Sequence, residues 1–289
     1  MSIPSTLPGG DWALGDVTVA RFGYGAMQLA GPGVMGPPAD RDSALAVLRA
    51  AVEAGINHID TSDAYGPRFT NQVIREALHP YPASLLLATK VGSFRDEQGG
   101  WLVARRPQDL REQVRANLES LGVEAIDLVN MRMGDAYGPQ PGSIAEAFGT
   151  LVELQQDGVI RHLGVSNVTA VQVDEARTIG EIVCVQNGYN LAYRHDDELI
   201  DKLAADGIAY VPFFPLGGFQ PLQSQALSAV ADRVGSTSMS VALAWLLQRS
   251  PNILLIPGTS SIDHLRENVA GAGLSLSTQD LADLDGIAG

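Results

Sequence analysis

The feature that most restricts the fold of this chain is a regular alternation of short apolar segments with longer segments of helical periodicity. Residues 41–54, for example, carry apolar side chains at helical spacing, and the apolar segment 56–60 follows them directly. Strands that alternate with helices in this way predict parallel βαβ units, in which each helix packs back against the sheet. The same alternation continues almost to the end of the chain.

Eight segments have the pattern of strands, and each is followed by a helix or a loop. The predicted strands are residues 21–27, 56–60, 85–90, 126–131, 160–166, 182–186, 208–214 and 253–256. The predicted helices are residues 41–54, 69–79, 107–121, 143–157, 169–179, 196–206 and 239–249, with a last helix after Ser260 and Ser261. Eight such units in 289 residues predict a closed (β/α)8 TIM barrel. A doubly wound open sheet is the alternative; its Rossmann form is weakened because no G-x-G-x-x-G motif opens a helix after the first strand.

Few residues lie outside the barrel pattern. Two short apolar runs on either side of Gly15 and Asp16 predict a small N-terminal β-hairpin within residues 12–19. No change of composition marks a domain boundary, so we expect residues 1–289 to form a single α/β barrel domain. The proline- and glycine-rich stretches 31–38 and 137–142 are expected to be loops within the barrel. The stretch 215–222 is expected to be a longer loop near a ligand.

Composition and charge restrict the compartment and the partners. A hydrophobic fraction of 45% is typical of a globular protein, and no uncharged apolar run approaches the roughly 20 residues of a membrane span. The formal net charge of −14 disfavours nucleic acid and anionic membranes, because like charges repel. The N-terminus lacks the features of a signal peptide and Cys184 is the only cysteine, so a cytoplasmic location is expected. No metal-ligand spacing is present in the sequence.

Polar side chains collect at the predicted carboxyl ends of the strands, which is where the active site of a (β/α)8 barrel lies. Asp60 and Tyr65 follow the second strand, and Lys90 ends the third. A lysine that closes an apolar strand needs a partner, because a buried ammonium is costly without one. The polar run after the second strand can also be explained by capping alone, since Asp, Thr and Ser satisfy helix starts.

These residues lie within a set of ordered motifs that resembles the aldo-keto reductases, a family of nicotinamide-dependent carbonyl reductases. The motifs are G-I-N-H-I-D-T-S-D-A-Y-G, T-K-V-G, G-V-S-N, V-Q-N-G-Y-N and I-P-G-T-S-S followed by L-R-E-N, and the resemblance spans about residues 14 to 286. It implies that Tyr65 is the general acid, Lys90 its partner and Asp60 the carboxylate that pairs with the lysine. A free tyrosine has a pKa of about 10, and a neighbouring ammonium favours an ionised phenol, which suits proton transfer near neutrality.

The fourth catalytic position departs from the family pattern. Strand four of the family commonly ends in a histidine, whereas this chain has Arg132 in that place. Arginine stays protonated, so it is expected to polarise the substrate carbonyl or to bind an anionic oxygen of the substrate with its planar fork. The alternative is a structural arginine paired with Asp127 or Asp135.

The resemblance also implies a nicotinamide dinucleotide site on strands five to eight. Side-chain donors and acceptors would hold the nicotinamide carboxamide, an aromatic ring would stack on the nicotinamide, and free backbone N–H groups before the last helix would receive phosphate. The expected cofactor contacts are Ser166, Asn167, Gln186, Phe213, Pro215, Leu216, Gly258, Thr259, Ser260, His264, Arg266, Glu267 and Asn268. NADPH is the expected cofactor. NADH stays open, because Gly258 and His264 replace basic residues that often bind the 2′-phosphate.

The predicted function is NADPH-dependent reduction of a small-molecule aldehyde or ketone by a monomer or weak homo-oligomer. The V-N-M-R end of strand four and the T-S-D-A-Y-G-P run are similar to bacterial pyridoxal-reductase-like members of the family, so pyridoxal is the expected substrate. The alternatives are a broad-specificity aldehyde reductase and a nucleotide-binding sensor or regulatory subunit with little turnover. Four side chains on loops are expected to wall the substrate pocket, although buried packing explains each of them nearly as well: Tyr24, Met27, Phe94 and Trp101.

Overall fold

The computed structural model describes residues 6–135, 138–215, 217 and 224–288, and a parallel sheet lies at its centre. The strands are β1 (Asp11–Leu14), β2 (Val17–Ala20), β3 (Tyr24–Gly25), β4 (His58–Asp60), β5 (Leu86–Val91), β6 (Ser93–Arg95), β7 (Trp101–Val103), β8 (Ile126–Arg132), β9 (Ile160–Ser166), β10 (Cys184–Gln186) and β11 (Ala209–Tyr210). Seven of them form the central sheet in the spatial order β3-β4-β5-β8-β9-β10-β11, which is also their order along the chain. Every neighbouring pair in this sheet is parallel.

Helices connect these strands and form the outer layer. They are α1 (Arg41–Glu53), α2 (Phe69–Leu78), α3 (Pro107–Leu121), α4 (Ala145–Gln156), α5 (Ala170–Ile179), α6 (Asp197–Ala205), α7 (Gln225–Val234), α8 (Ser238–Arg249), α9 (Ile262–Ala272) and α10 (Thr278–Asp285). The ends of α3 show why the sequence predicts them. Pro107 occupies the first turn, where no N–H is needed, and Gly122 ends the helix with a φ of 72°. None of the described helices has both the length and the apolar character that a membrane crossing requires.

The segment after α8 closes the sheet into a barrel. Leu254 N donates to Tyr210 O at 2.9 Å on one side, and Gly23 N donates to Leu255 O at 2.8 Å on the other. Parallel bridges at Tyr210–Ile253 and Phe22–Leu255 place this segment between β11 and β3. The predicted (β/α)8 barrel is therefore confirmed, and the open doubly wound sheet is excluded.

The N-terminal hairpin covers one end of the barrel and so leaves the other end for a site. Leu14 and Val19 of the hairpin pack in one buried cluster with Leu86 and Ala88 of β5, which lie in the barrel interior. The hairpin is also joined to the amino side of β4, because Ala20 N donates to the Asn57 side chain at 2.8 Å. The carboxyl ends of the strands lie at the opposite end.

The sequence patterns do not predict the hairpin formed by β6 and β7, nor the helices α7 and α10. The hairpin exposes Phe94, Trp101 and Leu102, so no buried face imposes an alternating pattern on it. The predicted strand 208–214 is shortened to Ala209–Tyr210. Most of the predicted loop 215–222 and part of the predicted loop 137–142 lie outside the described residues.

Candidate active site

A buried ion pair lies at the carboxyl ends of β4 and β5. Lys90 Nζ donates to Asp60 Oδ1 at 2.5 Å and to Thr61 O at 2.9 Å. The second carboxylate oxygen, Asp60 Oδ2, accepts from Gln186 Nε2 at 2.8 Å. Burial alone would lower the pKa of Lys90. The Asp60 carboxylate and the Tyr65 phenol raise the pKa by more than burial lowers it, so it lies above its usual value. The lysine is therefore a permanent cation at this end of the barrel.

Tyr65 lies beside that cation, on the loop after β4. Lys90 Nζ is 5.2 Å from the centroid of the Tyr65 ring, and the tyrosine is buried. The loop is tied to a second loop through Gly66, whose N–H donates to Val34 O at 3.1 Å. Gly66 has a φ of 77°, and a Cβ there would lie 2.6 Å from Gly36 O, so only glycine fits this turn. Backbone contacts thus fix the phenol near the ammonium.

Arg132, at the end of β8, completes the predicted catalytic group. Its guanidinium lies over the ring of Trp101, with 5.3 Å from Cζ to the centroid, and its Nε makes no hydrogen bond within the described structure. Burial lowers the pKa of Arg132, and the charges of Tyr65, Asp135 and Asp60 offset part of that effect. Arg132 lies two residues beyond Asn130, the partner of Lys90 in the parallel pairing of β5 with β8, so it lies at the same end of the barrel as the buried pair.

One of the two structural roles considered for Arg132 is not supported. Asp127 is engaged on the outer side of the sheet, where Oδ2 accepts from Leu87 N at 2.9 Å and Oδ1 accepts from Arg161 at 3.3 Å. Asp135 influences Arg132 electrostatically, but it also faces other groups, since Gln140 donates to its Oδ2 at 3.2 Å.

Two buried amide oxygens without donors lie near the predicted nicotinamide position. Asn167 donates to Asp135 O at 2.5 Å, and Gln186 donates to Asp60, but Asn167 Oδ1 and Gln186 Oε1 have no hydrogen-bond partner in the described chain. A buried acceptor without a donor is costly, and the NH₂ of a carboxamide is a suitable donor. Ser166, also buried, directly precedes Asn167. These side chains fit the nicotinamide carboxamide of a dinucleotide.

The predicted stacking residue lies at the same end of the barrel. Phe213 pairs with Gly188 across an isolated parallel bridge, and a Cβ on that glycine would lie 3.2 Å from the Phe213 ring. The Phe213 ring also makes an edge contact with Phe214, at 5.1 Å between centroids. Pro215 follows and is half-buried, whereas Leu216 lies outside the described residues.

The predicted phosphate residues lie between the barrel seam and the start of α9. A Cβ on Gly258 would lie 2.6 Å from Gly25 O, so the loop packs directly on β3. Thr259 is buried, Ser260 is exposed, and Ser261 is the N-cap of α9. Further along α9, His264 and Glu267 are exposed, Asn268 is buried, and Arg266 pairs with Asp263 at 3.1 Å.

The four predicted pocket side chains lie in different surroundings. Tyr24 is fully buried, and its hydroxyl donates to the carbonyl of Thr259, so it supports the phosphate loop. Met27 is half-buried. Phe94 and Trp101 are exposed on β6 and β7, with exposures of 42% and 37%, and Trp101 contacts the guanidinium of Arg132.

Two arginines near this pocket are not identified by the sequence reasoning. The guanidinium of Arg95 also lies over the ring of Trp101, with Cζ 4.5 Å from the centroid. Arg105 follows β7, and its pKa is lowered by burial and by the charge of Arg132. Neither has a sequence signal, because both depend on how the β6–β7 hairpin folds over the barrel end. Among the described residues, no group of three or more His, Cys, Asp or Glu side chains is arranged to hold a metal ion.

Comparison with known proteins agrees with this geometry. The model of the Aldo/keto reductase family matches residues 21–288. Pyridoxine 4-dehydrogenase of Escherichia coli K12 is 61% identical over 278 residues, covering 96% of this chain and 97% of that protein. The structure of an aldo-keto reductase from Bacillus halodurans, in its holo form, has a TM-score of 0.78 and 26% identity, covering 96% of each chain.

A third comparison shows the fold alone. An aldo/keto reductase from Klebsiella pneumoniae, solved with NADP and acetate, has a TM-score of 0.76 and 22% identity, covering 96% of this chain and 94% of that one. The family match spans the barrel and every catalytic candidate. This chain therefore belongs to the aldo/keto reductase family of oxidoreductases.

Proposed function

We propose that this aldo-keto reductase interconverts the aldehyde of pyridoxal and the alcohol of pyridoxine, with NADPH as the reductant. In the direction of reduction, pyridoxal, NADPH and one proton give pyridoxine and NADP⁺. The 61% identity to a pyridoxine 4-dehydrogenase supports the substrate. The observation that carries the chemistry is the buried Lys90–Asp60 pair, 2.5 Å between Nζ and Oδ1, beside the Tyr65 phenol.

Each side chain at the buried pair has its own role in the proposed reaction. Tyr65 gives its proton to the carbonyl oxygen, and the Lys90 ammonium stabilises the negative charge left on the phenol. Asp60 keeps Lys90 charged and fixes its position, while Gln186 fixes Asp60. When bound, the nicotinamide dinucleotide supplies the hydride that joins the carbonyl carbon. The low exposure of these side chains keeps water out and strengthens each charge interaction.

The orphan amide oxygens support the cofactor assignment. Asn167 Oδ1 and Gln186 Oε1 would accept from the carboxamide, and the Gln186 side chain would then join the cofactor to Asp60 directly. Arg266 supports NADPH over NADH, because it lies in the first turns of α9, beyond the proposed phosphate loop. The Arg266–Asp263 pair is partly exposed, so its replacement by a phosphate contact costs little.

We propose a monomer or weak homo-oligomer that acts in the cytoplasm. The free thiol of Cys184, whose pKa is raised by burial to about 12, supports a location where disulfides are not needed.

The test follows NADPH absorbance with purified protein and a panel of carbonyl compounds that includes pyridoxal. We expect oxidation of NADPH with pyridoxal, and we expect Tyr65→Phe to abolish turnover while NADPH still binds. Tight NADPH binding without turnover on any carbonyl would refute the proposed reaction and favour a sensor or regulatory role. Equal efficiency with simple aldehydes would instead indicate a broad-specificity reductase.

A further inference from the structure

Two arginines with unsatisfied, buried Nε atoms lie at the rim of the candidate active site. Among the described arginines, only Arg105 and Arg132 have a buried Nε without a hydrogen-bond partner. Most others bond to carboxylates or backbone carbonyls, as Arg106 does with Asp109 at 2.8 Å. Burial of a guanidinium without its full set of acceptors is unfavourable, so these two positions are costly in the free protein.

The two arginines also act on one another. Arg105 is half-buried after β7, and Arg132 ends β8 beneath Trp101. Ala104, directly before Arg105, donates its N–H to Gly92 O at 3.0 Å, and a Cβ on Gly92 would lie 2.5 Å from Arg132 O, so the two arginines lie on neighbouring segments. Burial lowers the pKa of Arg105, and the positive charge of Arg132 lowers it further. Like charges brought together out of water are stabilised by an anion placed between them.

The position of Arg132 determines where on a substrate this anion lies. Arg132 lies two residues beyond Asn130, which is the β8 partner of Lys90, and Lys90 Nζ lies 5.2 Å from the ring of Tyr65. In the proposed mechanism Tyr65 contacts the reacting carbonyl oxygen. An anionic oxygen that reaches Arg132 while the carbonyl oxygen is at Tyr65 must be attached close to the aldehyde. On an aromatic ring, that place is the carbon next to the one bearing the aldehyde.

We propose that Arg105 and Arg132 together form a subsite for an anionic oxygen on the ring carbon adjacent to the aldehyde, with Arg105 as a specificity-determining residue. The inference rests on the proposed carbonyl reduction and extends its substrate from pyridoxal to the class of aromatic aldehydes with an anionic oxygen on the adjacent ring carbon. Planar guanidinium groups suit this role, because each can direct two N–H donors at one oxygen. The Nε–H groups that lack partners are the donors available for it.

The test compares salicylaldehyde with 2-methoxybenzaldehyde, at one fixed pH at which the phenol of salicylaldehyde is ionised. The measured quantity is the ratio of the two kcat/KM values with saturating NADPH. We expect the wild-type protein to favour salicylaldehyde, and Arg105→Met to reduce that ratio by roughly ten- to a hundredfold, the usual effect of losing a charged hydrogen bond. Arg105→Lys keeps the charge but not the fork, and we expect it to retain part of the preference.

Arg106→Met is the matched control, since Arg106 is exposed and pairs with Asp109. It should leave the ratio unchanged. A wild-type ratio near one, or a ratio that Arg105→Met and Arg105→Lys leave unchanged while both aldehydes are reduced, would overturn the subsite and leave the proposed reduction standing. Absence of turnover with every aldehyde would overturn the proposed reduction, and the subsite with it. Thermal unfolding of each variant identifies any variant that fails to fold. If Arg105→Met fails to fold, the ratio of kcat/KM values in Arg105→Lys is compared with that of the wild type instead.

Discussion

Lys90 and Asp60 form an ion pair that is buried on both sides, with side-chain exposures of 7% and 6% and 2.5 Å between Nζ and Oδ1. Desolvation makes such a pair expensive to bury, and replacement of both partners by apolar residues is often neutral for stability. Removal of one partner alone leaves a buried charge without compensation. Stability and catalysis can therefore be separated at this pair.

We predict that Asp60→Asn lowers the free energy of unfolding by roughly 3 kcal/mol and reduces turnover more than a hundredfold, because the Lys90 ammonium loses its counter-charge. The double variant Asp60→Leu with Lys90→Met should regain much of the stability and none of the turnover. Urea unfolding and NADPH oxidation measure the two effects. Turnover in the double variant near the wild-type rate would show that the pair is only structural.

Arg132→His is predicted to lower the preference for pyridoxal relative to benzaldehyde by about tenfold, since the neutral imidazole lacks the charged fork. The preference is the ratio of kcat/KM values for the two aldehydes. The same substitution at Arg161, which pairs with Asp127 on the outer side of the sheet, is the control. Identical ratios in both variants and the wild type would return Arg132 to a structural role.

His264→Arg is predicted to tighten NADPH binding by about five- to tenfold without changing NADH binding, because a permanent cation can pair with the 2′-phosphate. His264 is exposed in the first turn of α9, so the substitution disturbs no packing. Dissociation constants from fluorescence titration with each nucleotide measure the effect, and NADH is the internal control. An equal gain for both nucleotides would contradict recognition of the 2′-phosphate here.

Asp63 makes the stability of the protein depend on pH. Burial raises the pKa of Asp63 from 3.8 to about 7, while the Asn117 side chain and the charge of Arg68 partly offset this rise. The Asp63 carboxyl loses its proton near pH 3.8 in the unfolded chain and near pH 7 in the folded chain. The contribution is therefore fully present below the unfolded pKa and is lost as pH rises through about 7.

We predict that the wild-type protein loses a few kcal/mol of unfolding free energy between about pH 5 and about pH 8, since each unit of pKa shift corresponds to about 1.4 kcal/mol. Asp63→Asn should remove this loss. Urea unfolding at both pH values gives the comparison. Asp232→Asn, at an exposed carboxyl in α7, is the control and should not alter the pH dependence. Parallel pH curves for Asp63→Asn and the wild type would show that Asp63 is ionised in the folded protein at both values.

The barrel is predictable from sequence because helical periodicity and apolar strands alternate along the whole chain. Asp60, Tyr65 and Lys90 are predictable because they follow buried strands, and the structure brings them together; their roles stay proposals. Arg105 is not predictable, because its position depends on the β6–β7 hairpin, whose exposed faces carry no periodic pattern. The support that Tyr24 gives to Thr259 likewise joins residues far apart in sequence.

The segment 253–255 closes the barrel between β11 and β3, and its hydrogen bonds on the β3 side, as between Gly23 and Leu255, connect residues separated by most of the chain. Contacts of such long sequence separation are costly in chain entropy. The proposed phosphate residues Gly258, Thr259 and Ser260 follow this segment at once and lie against β3. A chain that has not closed its seam can contain Asp60, Tyr65 and Lys90 in place and still bind no nucleotide. The fraction of molecules that bind the cofactor is thus expected to report how many have closed the barrel.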